Sequence, residues 1–348
     1  MRCISSPPIA SCAFDAQATH LIRIFMIKIE VPDSRESFHG FSADLAALPI
    51  AEEVHFDFRK VTFATPGWMI SVGAALRQFR EERQEVRRKA INFHKLTYPA
   101  HAGFFQFFGM KFGKELNAAS SNERFIPITP ILVEDIKEEA IEHMEHHGDT
   151  IQRSSEELIG VLLQSRDSAA FQGLAYAMRE LIRNVVEHSD STDLAYAAQY
   201  WPGTGKAEIA ITDRGIGIAR SLSSNPKLGN VNEEQALDLA VQPGISSKTW
   251  RKQRTQSVWS NSGYGLYMVK GLCVASGGSF SIASGATART WSKKGATTIP
   301  SHVIGTTVIM QLNSDNLDNI DIELRRLRDE VSGGKPSTAS MSLNPKRG

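Results

Sequence analysis

The stretch Phe171 to Ser189, FQGLAYAMRELIRNVVEHS, constrains the fold more than any other, because its apolar residues have the spacing of a half-buried helix. Glu180, Asn184 and His188 follow one another at four-residue intervals and so share a stripe beside the buried face. A carboxylate and a carboxamide are therefore predicted to lie next to the core. The apolar face is predicted to contain Leu174, Met178, Leu181, Ile182 and Val185.

This polar stripe has two interpretations. Arg179 and Arg183 are predicted to turn towards water in both. In the first, the helix is an ordinary amphipathic one with polar groups at the edge of the core. In the second, the stripe belongs to a binding site. The downstream sequence favours the second, since the strand KAEIAIT leads into DRGIG, from Asp213 to Gly217, and NSGYGLYMVKGL follows later, from Asn261 to Leu272.

The chemistry of these segments suits a nucleotide. An Asp that ends a strand before a glycine turn can accept a hydrogen bond from an exocyclic amine, and glycines let backbone N–H groups approach a phosphate closely. A helix that begins just after Gly263 and Gly265 offers its positive end to the same anion. A late strand, GTTVIMQL, completes the pattern.

In this order the segments resemble the GHKL superfamily of ATP-binding domains, shared by gyrase, heat-shock chaperones, MutL-type repair proteins, sensor histidine kinases and anti-sigma-factor serine kinases. ELIRNVVEH looks like the family's N-box, DRGIG like its first glycine box and NSGYGL like its second, and Thr306-Thr307 looks like the late threonine beside the adenine. The resemblance covers Ser155 to Asn313 and implies a two-layer α/β sandwich, the Bergerat ATP-binding fold, for that domain.

The resemblance also implies roles for single residues. Asn184 would hold Mg²⁺, Asp213 would bind the adenine amino group, and Glu180 would act as general base. The residues implied to shape the nucleotide pocket are Gly215, Gly217, Gly263, Gly265, Leu266 and Thr306.

The segment from Ile218 to Ser260 corresponds to the mobile ATP lid of the family. It is predicted to form one short helix around Glu233 to Ala240 and then to become basic, and its PGISSK resembles the lid motif of several family members. Two interpretations of the basic part stay open, contact with the phosphates or a solvated loop. Its cationic residues are Lys248, Arg251, Lys252 and Arg254.

Composition sets broad limits. A length of 348 residues favours two domains, and 41% hydrophobic with 22% charged residues is typical of globular protein. The net charge of +1 provides no global field for nucleic acid or an anionic membrane. Three cysteines make a disulfide framework improbable and fit a reducing cytoplasm, and no apolar run is long enough for a membrane helix.

Residues 1–25 are predicted to be a leader that is disordered or a misassigned start, with Met26 as the alternative start. Residues 26–120 are predicted to form a small α/β domain with a strand at MIKIEV, a helix over WMISVGAALRQFREERQEVRRK and a returning strand at AINFHKL. EEVHFDFRKVTFA is predicted to be either one longer strand or a strand with its turn. The apolar stripe of that helix is predicted to contain Met69, Val72, Leu76 and Phe79.

The segment HFDFRKVTFATPGWMISVGAAL resembles the STAS fold of anti-anti-sigma factors, in which a strand leads through a tight turn into a helix. In that family the turn often carries a serine that a GHKL kinase phosphorylates. The corresponding positions here are Thr65 and Pro66, so the usual acceptor is missing, and Thr62 or Thr65 is the only replacement.

Three further segments have competing interpretations. RQFREERQEVRRK is predicted to be a solvated helix face, with a nucleic-acid patch as the alternative. The aromatic HAGFFQFFGMKFG is predicted to be core, with a docking surface or a base-stacking platform as alternatives. Residues 121–154 are predicted to be a helical linker, in which three histidines, His143, His146 and His147, bind a metal or lie on a solvated face.

The predicted function is that of a cytoplasmic, Mg²⁺-dependent, ATP-binding signalling protein, a protein kinase of the histidine-kinase-like or anti-sigma type. The alternatives are an ATPase or ATP-gated clamp without phosphotransfer, and a non-catalytic ATP sensor. The predicted partners are ATP and a regulator or substrate protein, with homodimerisation left open and neither a membrane nor a nucleic-acid signature. Residues 314–348 are predicted to form a short helix followed by a disordered tail.

Overall fold

The chain forms two units, each built around its own sheet, which we call the N-terminal unit (24–124) and the C-terminal unit (125–332). None of the helices among the described residues has both the length and the apolar character that spanning a bilayer requires. Residues 1–23 of the predicted leader and residues 333–348 of the predicted tail lie outside the described residues, whereas Ile24 and Phe25, the last two residues of the predicted leader, belong to the first strand of the N-terminal unit. The structure is a computed structural model, and it describes residues 24–142, 147–164, 166, 169–245 and 264–332.

The N-terminal unit contains a three-stranded parallel sheet with the strand order β1-β2-β3. The predicted first strand is confirmed as β1, and its residue Ile27 lies opposite Val54 of β2. The elements are β1 (Ile24–Glu30), α1 (Phe41–Ala46), β2 (Ala51–Asp57), α2 (Pro66–Glu82), β3 (Arg87–Ile91), α3 (Thr97–His101) and α4 (Phe104–Phe107).

Helix α2 begins where the local sequence dictates. Thr65 is its N-cap and accepts a hydrogen bond from the Trp68 N–H at 3.2 Å, and Pro66 occupies the first turn, where a missing N–H does no harm. The predicted apolar stripe is confirmed, because its four residues are all buried in the core of the unit.

The end of α2 differs from the prediction. The helix ends at Glu82 instead of continuing through the basic run, and RRKAI forms β3, paired in parallel with β2 from Arg87 to Ile91. The prediction of a strand at AINFHKL is therefore wrong for most of its length. Helical spacing of charges misled here, because pairing with a distant strand outweighs local preference.

The aromatic segment after β3 is core, as predicted. Phe104, Phe105 and Phe107 are buried, and the ring of Phe104 lies 4.8 Å from the ring of Trp68 on α2. Phe108 and Phe112 pack against the same cluster with partial exposure. These rings fill the space between α2 and the short helices α3 and α4.

The C-terminal unit contains a five-stranded antiparallel sheet with the order β4-β5-β6-β8-β7. Helices α6, α7, α10 and α11 contribute to the core on one face of this sheet. The elements are β4 (Phe125–Leu132), α5 (Val133–Glu142), α6 (His147–Leu163), α7 (Ala169–His188), β5 (Asp193–Trp201), β6 (Lys206–Asp213), α8 (Ile218–Ser223), α9 (Glu233–Ala240), α10 (Gly265–Ala275), β7 (Ser279–Ser292), β8 (Gly295–Asn313) and α11 (Leu317–Ser332).

The segment predicted to be a helical linker begins with a strand. β4 is the edge strand of the large sheet and pairs antiparallel with β5, and Ile126 enters the core of the C-terminal unit. The helical prediction is correct for α5 and α6. It fails for β4 because IPITPIL has an alternation that only the partner strand makes decisive. His143 and His146 lie outside the described residues.

The second face of the large sheet is also covered, which the prediction of a two-layer sandwich did not include. Helix α2 packs between the two sheets, and Ala195, Ala197, Ala210 and Ile309 of the large sheet join the core of the N-terminal unit. Small side chains on this face let the helix approach closely. The layers therefore alternate as helices, large sheet, α2 and small sheet.

One fully buried carboxylate joins the two units. Glu208 of β6 accepts hydrogen bonds from the Gly67 N–H at 2.5 Å and from Gln311 Nε2 at 2.6 Å, and Thr65 donates its hydroxyl. Burial raises the pKa of Glu208, and these three donors oppose that rise. Glu208 thus satisfies N–H groups at the start of α2 from the neighbouring unit.

The last two strands of the large sheet form one long hairpin. β7 and β8 stay paired from Ser279 to the turn after Ser292, with a register shift near Gly285. The far part of this hairpin lies beside α1, where the His302 N–H donates to Ser42 Oγ at 2.9 Å. The hairpin therefore contacts both units.

Candidate functional site

Helix α7 places the two polar residues that the sequence singled out. Leu174, Met178 and Ile182 are buried against the large sheet, which confirms the predicted face and sets the rotation of the helix. Glu180 is 8% exposed, whereas Asn184, one turn later, is exposed. The carboxylate therefore lies at the edge of the core, and the carboxamide reaches the surface above it. The side chain of His188 is outside the described part.

The two arginines of α7 do not turn away from the site. Arg179 Nη2 lies 3.4 Å and Arg183 Nη1 lies 3.7 Å from Glu180 Oε1, so the prediction that both face water is wrong. A carboxylate that loses most of its hydration draws nearby cations, and these side chains are long enough to reach back. The guanidinium of Arg179 also lies over the ring of Tyr176, at 4.7 Å from its centroid.

The first glycine loop lies against the end of α7. The Ile216 N–H donates to the Ser189 carbonyl at 2.8 Å, and a side-chain carbon at Gly215 would lie 2.2 Å from that same oxygen. Only a glycine permits this approach at Gly215. The loop is therefore held directly beside the helix that carries Glu180 and Asn184.

Asp213 ends β6 in a nearly closed environment. Its Oδ1 accepts the Gly215 N–H at 2.7 Å, and the Thr306 N–H also donates to the carboxylate. Burial, the largest contribution, raises the pKa of Asp213 to about 6, the two N–H donors oppose the rise, and the charge of Asp193 adds to it. The pKa of this carboxyl group thus lies close to neutral pH, where a bound hydrogen-bond donor can change its protonation.

The register of the sheet distinguishes the two late threonines. Asp213 pairs with Thr306, which therefore lies next to it. Thr307 points to the opposite face, where its hydroxyl lies 2.8 Å from that of Thr212. The approach of the two strands requires Gly305, since its φ is +81° and a side-chain carbon there would lie 2.2 Å from the Asp213 carbonyl oxygen.

Gly217 closes the glycine loop in a backbone conformation that favours glycine, with φ at +75°. The hydroxyl of Ser284 on β7 accepts the Ile218 N–H at 3.0 Å and donates to the Gly305 carbonyl at 2.8 Å. Ser284 therefore ties the start of α8 to the strand that carries Thr306.

The second glycine box reaches the site through α10. This helix begins at Gly265 without a side-chain cap from Tyr264. Leu266 packs both against the main core of the C-terminal unit and against the small apolar cluster between α8 and α9. An uncapped helix start leaves backbone N–H groups that suit an anion. Gly263 and Lys248 lie outside the described residues, as do Arg251, Lys252 and Arg254.

The described part of the lid is folded. The predicted helix is confirmed as α9, and α8 is an additional one. Glu233 accepts the Ala286 N–H at 2.5 Å, and Arg289 Nε lies 3.0 Å from Asp238 Oδ1, so α9 is fixed to the β7–β8 hairpin. Gly244, in the predicted lid motif, lies close to the hydroxyl of Tyr264.

Sequence reasoning missed several residues that build this site. Ser189 and Ser191 anchor the loop, as the Arg214 N–H donates to Ser191 Oγ at 3.0 Å, and Ser284 and Gly305 fix the strands around it. A run of hydroxyl residues directly after a helix, SDST, is a signal for such a turn. Ser284 has no comparable local signal.

The oxygen donors on α7 fit a magnesium ion. Mg²⁺ prefers oxygen ligands, keeps several waters and takes only one or two protein ligands, and the exposed Asn184 carboxamide supplies one such oxygen. Glu180, a turn below, already contacts two guanidinium groups. Among the residues present, Asn184 is thus the better candidate for direct coordination.

The loop before α2 does not offer two equivalent phosphoacceptors. The Thr65 hydroxyl donates to buried Glu208, so it is enclosed between the units. Thr62 is exposed, and its hydroxyl donates to Asp33 Oδ2 at 2.8 Å. Thr62 is therefore more accessible to an external kinase than the half-buried Thr65.

Comparison with known families agrees with this geometry. Residues 170–316 match the family model of the histidine kinase-, DNA gyrase B-, and HSP90-like ATPases. The matched range contains α7, both glycine segments, the lid and the strand with Thr306. It supports an ATP-binding domain of the GHKL type in the C-terminal unit. A comparison with curated proteins found no match.

Proposed function

We propose that this protein is a Mg²⁺-dependent, ATP-binding signalling protein of the cytoplasm, in which the C-terminal unit transfers the γ-phosphoryl group of ATP to a protein. The observation that carries the proposal is the junction of α7, the first glycine loop and Asp213. At that junction the hydrogen bond from the Ile216 N–H to the Ser189 carbonyl holds a glycine loop suited to phosphate binding beside the helix that carries Glu180 and Asn184. The family match over residues 170–316 supports the choice of ATP.

Each residue has a part in the proposed reaction. The carboxylate of Asp213 would accept a hydrogen bond from the adenine amine. Asn184 would hold Mg²⁺, whose charge would neutralise charge on the phosphates. Thr306, Gly215, Gly217, Gly263 and Gly265 shape the pocket, and Leu266 packs at its edge. Lys248 of the lid is proposed to contact the phosphates when the lid closes.

Glu180 is proposed to orient the attacking hydroxyl and accept its proton. Its two arginine contacts hold the carboxylate in position. Positioning is the larger requirement in phosphoryl transfer, because the transition state is loose and needs little help from a strong base. The N-terminal unit, with its resemblance to STAS domains, is proposed as the module that recognises the partner.

Calorimetry with ATP tests the binding site. Wild type is expected to bind ATP more tightly with Mg²⁺ than without it. Asp213→Asn should raise the Kd about ten-fold or more, because an amide offers one acceptor oxygen to the adenine amine and the Gly215 N–H together. Asn184→Ala should remove the Mg²⁺ dependence and leave Mg²⁺-free binding unchanged. Asp44→Asn, on the exposed side of α1, is the matched control.

The reaction is tested with γ-labelled ATP on the same preparations. Label on a protein supports phosphotransfer, and Glu180→Gln should abolish that label while ATP still binds. Free phosphate without labelled protein would replace the kinase by an ATPase or clamp. ATP binding with neither product would leave a sensor, and the proposed transfer would be wrong.

A further inference from the structure

The end of β6 and the loop after it direct two neighbouring side chains to opposite faces of the large sheet. Asp213 lies on the face where the nucleotide site is proposed, and the next residue, Arg214, extends its side chain to the opposite side, towards α2. Its Nη1 donates to Glu81 Oε1 at 3.0 Å, and its Nη2 donates to Glu81 Oε2. Such a two-point contact fixes direction as well as distance. Helix α2 of the N-terminal unit thus holds the residue adjacent to Asp213.

The contact belongs to a row of alternating charges. Arg77, one turn before Glu81 on α2, lies 3.3 Å from Glu81 Oε1 through its Nε. Its Nη1 donates to Asp193 Oδ2 at 2.7 Å, at the start of β5. All four side chains are partly shielded from water, with 12% to 33% exposure. The row therefore connects α2 to two strand ends that flank the proposed adenine site.

A small cavity lies beside the Arg214 side chain. A cavity of about 30 Å³, with room for one or two water molecules, borders Asp213, Arg214 and Arg77 between the units. The backbone of the loop, in contrast, is tightly held by Ser191 Oγ and by the close approach of Gly305. Arg214 is thus anchored to α2 through its side chain and to the large sheet through its backbone, so the contact with Glu81 acts on the peptide that Arg214 shares with Asp213.

We infer that Glu81 and Arg214 are positioning residues through which the N-terminal unit controls the contact between Asp213 and the adenine amine, and so the preference for adenine. The inference rests on the proposed binding of ATP at Asp213. Nucleotide affinity then depends on how α2 is seated on the large sheet, and a partner that shifts α2 changes that affinity. By linkage, bound ATP strengthens the seating of α2 by the same factor.

The test measures base discrimination in the full-length chain. Inosine triphosphate has the same phosphates as ATP and lacks the exocyclic amine, so the ratio of its Kd to that of ATP reports the contact with Asp213. Glu81→Gln should lower this ratio about three-fold to ten-fold. Arg214→Gln should do the same, and the double variant should add little, because each change removes the Arg214–Glu81 contact.

The matched control is Glu82→Gln, on the same helix. Glu82 also bridges the units, with its Oε1 3.4 Å from His302 Nε2, yet its partner lies on β8 and outside the glycine loop. This variant should keep the wild-type ratio. If Glu81→Gln lowers the melting temperature and leaves the ratio unchanged, the contact is only structural and the inference is wrong. If wild type binds no ATP, the proposed function itself fails, and the inference fails with it.

Discussion

Asp213 illustrates how one residue combines a structural cost with a binding role. A carboxylate enclosed by protein loses hydration, and its pKa rises to about 6 although two N–H groups donate to it. The folded state therefore holds its proton more tightly than the unfolded chain, whose value is 3.8. This residue stabilises the fold most at low pH, and that contribution is lost as the pH rises from about 4 to about 6.

The same shift predicts a pH dependence of ATP affinity with the opposite sign. An amine donates to the ionised carboxylate, so affinity should rise as the pH increases through about 6 and level off above it. Calorimetry between pH 5 and pH 8 measures this. Phosphate groups titrate in the same range, and inosine triphosphate corrects for them. A difference between the two nucleotides that stays constant with pH would contradict the prediction.

At this scale the sequence supplied identities better than orientations. Glu180, Asn184 and Asp213 could be predicted because helix period and a strand end define where they lie. Spacing alone could not show that Thr306 and not Thr307 lies beside Asp213, since that depends on the register of β8 against β6, which involves residues almost a hundred positions away. The contacts of Arg179 and Arg183 depend on the depth of Glu180, another non-local quantity.

Helix α2 shows the corresponding limit for an element. Its apolar stripe was sufficient to predict the helix, and the second buried face was not foreseen because it consists of small residues. On the face towards the large sheet, Gly67 lies against Glu208 and Ile309. Glycine and alanine leave no hydrophobic signal, although they permit the closest packing. The covering of this face of the large sheet thus depends on the sequences of α2 and of the strands together, and neither segment predicts it alone.

Gly67→Ala tests this packing. An added side-chain carbon would lie 2.8 Å from Glu208 Oε1 and 2.9 Å from Ile309 Cδ1, in a region without free space. We expect a loss of about 1–3 kcal/mol in the free energy of unfolding, measured in urea. Helix propensity alone predicts the opposite sign, a gain of roughly 0.5–1 kcal/mol.

The control for this variant is Gly203→Ala, where an added carbon meets nothing within 4 Å. Its stability should stay within about 0.5 kcal/mol of wild type or increase slightly. If Gly67→Ala were as stable as this control, α2 would not be packed as tightly on the large sheet as the contacts indicate.

The two units share more than a boundary. Apolar residues from β5, β6 and β8 belong to the same buried cluster as Trp68, and Glu208 satisfies the start of α2. Separating the units would expose this cluster to water and break the hydrogen bonds of Glu208 to Gly67 and Thr65, which is costly. We therefore expect the whole molecule, and not each unit, to be the cooperative unit of folding.

Hydrogen exchange tests this expectation. The amides of Phe56 in β2 and of Ile209 in β6 should exchange with the same free energy of opening, because only global unfolding exposes both. ATP at a hundred times its Kd should raise both values by about 2.7 kcal/mol, since the ligand binds the folded state alone. Independent units would give a different result, in which Ile209 gains protection and Phe56 does not. Glu81→Gln provides the internal comparison, because it weakens the contact with Arg214 and keeps the shared apolar cluster. In this variant ATP should still raise the protection of both amides together.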